Sequence, residues 1–267
     1  LTVRPLSYVT KILYNKDTKK ATGVEVLDTM DNKTYEYKAK IVFVCASALN
    51  STWLLFNSAT DIWPGGLGSS SGELGHNVMD HHYNLGASGD IDGYENFTEY
   101  GRRPAGFYIS RFANIPGDNK QRNFVRGYGY QGSASRQGWS RTIAEMNIGA
   151  SLKEALSEPG GWRMGATGFG EVLPYHENKI SLDKTVKDKW GLPVLSMDAE
   201  MKENELNMRK DIKDDMVAML EAAGVKNITT YDSGHALGHG IHEMGTARMG
   251  RDPKTSVLNG NNQVWDA

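Results

Sequence analysis

Cysteine is all but missing: Cys45 is the only one in 267 residues, which excludes a disulfide within the chain. A surplus of either charge is missing too, since 30 Lys plus Arg stand against 32 Asp plus Glu for a net charge of -2. That balance lacks the basic stripe by which proteins hold a phosphate backbone, so no nucleic-acid partner is expected. No apolar run comes near the ~20 residues needed to span a bilayer, so no membrane span is expected. The longest, Ile41-Val42-Phe43-Val44-Cys45-Ala46, suits a buried strand. What the chain does have is glycine, 30 in all, above the average share of ~7% and a sign of many loops dictated by the backbone. With 39% apolar and 23% charged residues, it reads as a globular chain. At ~150 residues per domain it is long enough for one large domain or two modest ones.

Both ends look cut. Leu1-Thr2-Val3-Arg4 reads as a strand already in progress, with no charged and apolar leader before it. Asn262-Gln263-Val264-Trp265-Asp266-Ala267 stops without a closing helix or polar tail. The expectation is a piece of a longer protein.

Residues 3–14 and 21–28 alternate apolar and polar positions around the turn-prone Asn15-Lys16-Asp17 and read as paired strands. Tyr35-Glu36-Tyr37 repeats the alternation. The apolar run 41–46 then reads as a strand covered on both faces, and Leu49, Trp53 and Phe56 give the spacing of a helix directly behind it. Strand, tight turn and helix form a common ligand-binding arrangement, because ligands of open α/β sheets gather at the carboxyl ends of strands. From about 83 to 150 the chain turns rich in Gly, Tyr, Arg and Asn, with short alternating runs at 107–110 and 124–128 that read as antiparallel strands. A short helix is expected at 148–156, strands at 166–173, 180–182 and 194–197, and a long helix at 204–223. Leu206, Ile212, Met216, Met219, Leu220 and Ala223 form the apolar stripe of that helix, and Gly224 is its stop.

The unusual chemistry gathers in one stretch. Three of the seven histidines, His235, His239 and His242, lie within eight residues. On a helix they would share a face and could hold zinc, but Gly234, Gly238 and Gly240 oppose a helix at ~1 kcal/mol each. Loop histidines, general acid–base catalysis and a metal ion all stay open on spacing alone.

Four stretches, in order along the chain, resemble the glucose-methanol-choline (GMC) family of FAD-dependent alcohol oxidoreductases. Ser7-Tyr8-Val9-Thr10-Lys11-Ile12-Leu13 with Ala21-Thr22-Gly23-Val24-Glu25-Val26 is similar to the family's FAD-domain hairpin. Ala39 to Leu55 is similar to its strand-turn-helix, and Leu74-Gly75-His76-Asn77-Val78-Met79-Asp80-His81 to the element crossing into its substrate domain. His242-Glu243-Met244-Gly245-Thr246-Ala247-Arg248-Met249-Gly250, followed by Asp252-Pro253, resembles its C-terminal histidine motif.

The resemblance implies that the parent enzyme oxidises a CH–OH group by hydride transfer to FAD, with His242 accepting the hydroxyl proton. An imidazole suits that task because it exchanges a proton near neutrality. It also implies that Val9 meets the adenine of FAD and that Cys45 and Ala46 border its ADP part. No metal ligand is implied, and Asn77, Asp80, His81 and His82 are expected to cap and turn at the domain crossing. The histidine motif and the turn Asp188-Lys189-Trp190-Gly191-Leu192-Pro193 are closer to the family's sugar-oxidising and gluconate-type dehydrogenases. The implied partners are a small alcohol or sugar and an electron acceptor, either oxygen or a protein.

Departures are equally informative. Ala46 stands where the family usually has Gly, and Thr52 where it often has Pro. The family's N-terminal glycine fingerprint, which seats the FAD pyrophosphate where a strand passes into a helix, has no counterpart here, nor does its C-terminal segment with a second active-site residue. The fragment alone is therefore expected to be inactive and not to retain FAD.

The expected fold class is α+β: α/β remnants of an FAD-binding domain (1–80 and 238–267) plus a substrate-binding domain (81–237) whose antiparallel sheet is backed by helices. Tyr128, Tyr130 and Trp139 are weighed as sugar-stacking rings against core packing. Arg102, Arg103 and Arg122 are weighed as substrate anchors against a solvated surface. The rival readings are a stand-alone carbohydrate-binding or scaffold module derived from such an enzyme, and a metal-dependent hydrolase built on the three histidines.

Overall fold

The structure, a computed structural model, describes residues 1–97, 106–138, 141 and 148–267. Arg102, Arg103 and Trp139 lie outside the described residues. The chain forms two compact units, Leu1–Asp80 with Pro174–Glu200 and Ile241–Ala267, and His81–Leu173 with Met201–Gly240. The fold class is α+β, with three helices and antiparallel sheets among the described residues. The segment Pro174–Glu200, expected in the second domain, packs instead with the first unit. Its hairpin forms a two-stranded sheet and bridges residues 75–78 of the first unit (Lys179 opposite His76; Ile180 N–H to Gly75 O, 2.8 Å; Val78 N–H to Asn178 O, 2.9 Å).

The first unit opens with a three-stranded meander, β1 (Ser7–Asn15), β2 (Lys20–Asp28) and β3 (Lys33–Lys38). Its first turn is local chemistry: Asn15 Oδ1 accepts the N–H groups of Asp17 and Thr18, each at 3.0 Å. Residues 1–4 are exposed and outside the strand. Helix α1 (Ser47–Asn57) buries Trp53, Leu54 and Leu55 against Ile12, Leu67 and Val257. The run 41–46 between meander and helix is not a strand. Ile41 and Phe43 are largely exposed, and Cys45 is an exposed free thiol rather than a buried strand residue. A strand needs a partner for its N–H and C=O groups, and among the described residues nothing pairs with 41–45.

The second unit holds a five-stranded antiparallel sheet in the order β10-β4-β7-β6-β5. The strands are β4 (Leu85–Ile91), β5 (Gly106–Ile109), β6 (Tyr128–Arg136), β7 (Trp162–Gly170) and β10 (Lys226–Asp232); β8 (Lys179–Lys187) and β9 (Pro193–Asp198) belong to the first unit. Helix α2 (Ala150–Ser157) buries no residue. Helix α3 (Glu203–Ala222) covers one face of the sheet. It starts where Glu205 reaches back to the Lys202 N–H (3.0 Å) and stops at Gly224, whose φ of 79° is open to glycine.

The buried stripe of α3 is Met208, Ile212, Met216 and Leu220, at four-residue steps. Leu206, expected in it, is exposed, because two positions before Met208 is the opposite side of the helix. The helix lies so close to β7 that a Cβ on Gly168 would sit 2.2 Å from Ile212 Cγ2. Tyr128 and Tyr130 point into this core and are not stacking platforms. Residues 123–126 form a bend, and the strand begins only at Tyr128. The letters Gly127-Tyr128-Gly129-Tyr130-Gln131-Gly132 match Gly-x-Gly-x-x-Gly, but they run into β6 and no helix follows, so they are not a pyrophosphate seat. Arg122 is neither a substrate anchor nor a solvated charge. Its side chain is 3% exposed and pairs with Asp211 and Asp215 of α3.

Candidate active site and cofactor groove

His242 stands at the head of a strained, tightly held segment. The segment pairs antiparallel with residues 75–79: Met79 and Met244 exchange both backbone bonds at 2.9 Å, and Thr246 N–H reaches His76 O at 2.9 Å. Left-handed backbone clusters here, at Asn77 (φ 62°), Ile241 (φ 78°), Gly245 (φ 85°) and Thr246 (φ 61°). Such strain persists only where surroundings over-determine the chain, and it concentrates at functional sites. A Cβ on Gly245 would lie 1.8 Å from Asn77 O, so only glycine fits.

Below the pair, Thr246 is pinned to α1. Its hydroxyl donates to Ala48 O (3.2 Å) and meets the Thr52 hydroxyl at 2.7 Å, with both residues fully buried. The Thr52 departure thus has a structural partner. On the near side, Glu73 gathers Asn77 Nδ2 (2.7 Å) and Arg248 Nη2 (3.2 Å). His76 stacks on His176 with ring centroids 4.0 Å apart, and its Nδ1 lies 2.7 Å from His176 O. His242 itself is exposed.

Val9, Cys45 and Ala46, separated by up to 37 positions in sequence, line one groove of about 430 Å³ together with Val24, Phe43 and Leu54. Ala46 takes an ordinary φ of -106° at the helix N-cap, while Ser47 adopts the left-handed conformation (φ 63°). A methyl at 46 is therefore accommodated without strain. The free backbone of 41–45 borders this groove and a second hollow of about 810 Å³ that reaches Leu67, Leu258 and Trp265. Apolar walls beside unpaired peptide groups suit a planar heterocycle read through its edge.

In the second unit, the sheet face away from α3 carries a hollow of about 540 Å³ lined by Ser88, Gln131, Ser133, Arg163, Thr167 and Tyr231. No sequence pattern singles out these residues. Their signal is the polar half of each strand's alternation, read on the face opposite the core.

His235 and His239 belong to the second unit and stack at 5.4 Å in a non-helical loop, with Tyr83 beside His235. Among the described residues no three His, Cys, Asp or Glu side chains converge as a metal site. His82 is fully buried with neither ring nitrogen hydrogen-bonded, and burial, reinforced by the Arg209 charge, lowers its pKa to about 3. It packs against Gly170, where a Cβ would sit 2.2 Å from its Nδ1.

Two sequence models of the GMC oxidoreductase family match residues 1–83 and 174–267. The chain is 33% identical over 257 residues to the 2-methyl-1,2-propanediol dehydrogenase of Mycolicibacterium austroafricanum, covering 92% of this chain and 45% of that protein. It is 25% identical to the gluconate 2-dehydrogenase flavoprotein of Pantoea cypripedii, covering 99% of this chain and 44% of that protein. A formate oxidase structure from Aspergillus oryzae superposes with a TM-score of 0.54 at 14% identity, over 97% of this chain and 53% of that one. The chain belongs to the GMC oxidoreductase family, and it spans somewhat less than half the length of the curated relatives it matches. FAD is accordingly the cofactor of the full-length protein.

Proposed function

We propose that the full-length protein oxidises a CH–OH group of an alcohol, sugar or polyol, with His242 accepting the hydroxyl proton. The observation that carries this reading is the way the His242 segment is built, as an irregular stretch with left-handed residues bonded to residues 75–79 and to the buried Thr52–Thr246 pair. An acid–base group must be held within a fraction of an ångström of its working position, and a rigid backbone seat does this for an otherwise exposed imidazole. Bound FAD would supply the hydride acceptor, to be emptied again by oxygen or by an electron-carrying protein.

The groove around Val9, Cys45 and Ala46 is the candidate seat of the adenosine end of FAD, with the peptide groups of 41–45 reading the ring edge. Val9 and Leu54 line the same groove and would offer the ring apolar contact. The first unit is accordingly the remnant of the FAD-binding domain and the second the substrate domain, whose open sheet face holds the parts of the substrate that do not react. The 1,2-diol and gluconate named for two relatives are both hydroxyl-rich, and the polar sheet face suits such a molecule.

The test is bleaching of the flavin by alcohols in the complete enzyme. His242→Ala is expected to slow it by about 10²- to 10⁴-fold with flavin content unchanged. An unchanged rate refutes the proton-acceptor role. The 267-residue chain by itself is expected to purify colourless and inactive. A stoichiometric flavin spectrum from it would refute that part.

A further inference from the structure

Asn259-Gly260 is the only Asn-Gly step in the sequence. It lies at the corner of a tight turn between Leu258 and Val264, which pair antiparallel. Asn259 N–H to Gln263 O at 2.8 Å and Asn262 N–H to Asn259 O at 3.0 Å close the turn. The Asn259 side chain folds back along it. Its Oδ1 accepts the N–H of Asn261 at 2.8 Å and that of Gln263 at 3.1 Å, which lays the carboxamide carbon beside the intervening peptide nitrogen of Gly260.

That nitrogen is free to attack. Among the described residues nothing accepts the Gly260 N–H, the residue is exposed, and a Cβ built on it would meet nothing within 4 Å. Glycine also leaves the backbone free to rotate. The two N–H groups on Asn259 Oδ1 point at the oxygen that turns negative when its carbon is attacked, as donors do in an oxyanion hole. Comparable steps lack the combination. At Asp92-Gly93 the Gly93 N–H is taken by Glu95 Oε1 at 2.9 Å, and Asp92 Oδ2 holds Lys226 Nζ at 2.6 Å. Asn15 Oδ1 accepts two backbone bonds as well, but the residue that follows is Lys16, not glycine.

We propose that Asn259 is a self-modification site, converted through a succinimide to aspartate and isoaspartate. Hydroxide or water takes the Gly260 amide proton, the nitrogen bonds to Asn259 Cγ, and the bond from Cγ to Nδ2 breaks to release ammonia. Water then opens the ring at either carbonyl, so no oxidant or other reactant is needed. Opening at the backbone carbonyl gives isoaspartate, which routes the main chain through the side chain and lengthens it by one carbon. Either product adds a negative charge. The change is delivered close to the His242 segment, because Leu258 donates to Arg248 O at 3.0 Å and accepts from Gly250 N–H at 2.8 Å.

The test is ageing of the complete enzyme in mildly alkaline water enriched in heavy oxygen, followed by peptide mapping of every asparagine. Asn259 is expected to exchange its amide nitrogen for labelled oxygen about tenfold faster or more than any other asparagine, a barrier difference of about 1.4 kcal/mol. Methyl acceptance from an isoaspartyl methyltransferase, which reads isoaspartate alone, is expected to rise in step. Asp92-Gly93 is expected to form isoaspartate only once the protein is unfolded in denaturant. Gly260→Ala is expected to slow the reaction at Asn259 by about tenfold or more, and its melting temperature before ageing reports that the exposed turn tolerates the change. Asn259 that stays intact in the native enzyme but converts in the unfolded one would show a protective turn and overturn the proposal. Conversion spread evenly over the asparagines, or undiminished in Gly260→Ala, would overturn it too. These readouts need no turnover and are independent of the role proposed for His242.

Discussion

The hydroxyls of Thr52 and Thr246 lie 2.7 Å apart, and no water reaches either side chain. Because Thr246 donates to Ala48 O, Thr52 is the donor in the pair. The bond ties the middle of α1 to the segment that carries His242. A buried polar group that loses its partner costs about 1–3 kcal/mol, whereas replacing both partners with apolar groups of the same shape costs far less. Thr52→Val and Thr246→Val are each expected to destabilise the first unit in that range, and the double variant by less than their sum. Denaturant melts of the four proteins in a double-mutant cycle measure the coupling, expected at about 1 kcal/mol or more.

Gly245→Ala meets both a left-handed backbone and a carbonyl oxygen 1.8 Å from the new carbon. Its cost is expected to exceed ~1 kcal/mol. Loss of activity beyond the loss of folded protein, read from kcat at matched folded fraction, would show the His242 segment shifting.

Two groups of the second unit, buried His82 and ion-paired Asp232, titrate in different windows. His82 is lowered to about 3 in the folded chain and takes a proton near its ordinary ~6.5 when unfolded. The unfolded state then binds more protons between those values, so stability falls as pH drops from about 6.5 toward 3 and is unaffected above 6.5. Burial would raise Asp232, but bonds from Arg209 and Lys213 outweigh it and hold the carboxyl at about 2. Its stabilisation is fully present above the unfolded value of ~3.9 and is lost as pH falls through about 2. His82→Leu is expected to flatten the slope between pH 6.5 and 4 and leave the lower limb, as read by denaturant melts against pH.

Arg122 holds together Asp211, Asp215 and the Tyr128 hydroxyl, which donates to the carboxylates. Arg122→Leu leaves two carboxylates facing each other beside a single exposed cation, Lys120. Removing one partner of a buried ion pair typically costs 3–5 kcal/mol. A loss of that order is expected in thermal or denaturant unfolding, and replacing Asp211 and Asp215 by Asn in the same chain should recover part of it.

Local features are legible in the sequence. The Asn15 turn, α1, the Gly224 stop and the long helix all follow from spacing and capping, which depend on neighbours within a turn or two. The family is legible in four motifs in order. Expectation and fold part where a residue's surroundings come from far along the chain. The run 41–46 has the composition of a buried strand, yet composition does not supply the partner strand. Leu206 counts as apolar, but only the choice of which stripe faces the sheet decides that Met208 is buried and Leu206 is not. Strand β10 escapes a reading by pattern because Lys226-Asn227-Ile228-Thr229-Thr230-Tyr231-Asp232 buries no residue fully and owes its pairing to β4.

Residue identity and short-range spacing are enough to establish the family, the α+β class, the absence of a disulfide within the chain and the place of His242 at the head of a glycine-bearing motif. Packing settles the rest: that Val9 shares a groove with Cys45 and Ala46, that Thr52 is the partner of Thr246, and that Arg122 is buried while Arg163 is open. Each depends on which distant segment packs against which face, a choice made by burial and hydrogen-bond satisfaction over the whole unit rather than by any local pattern.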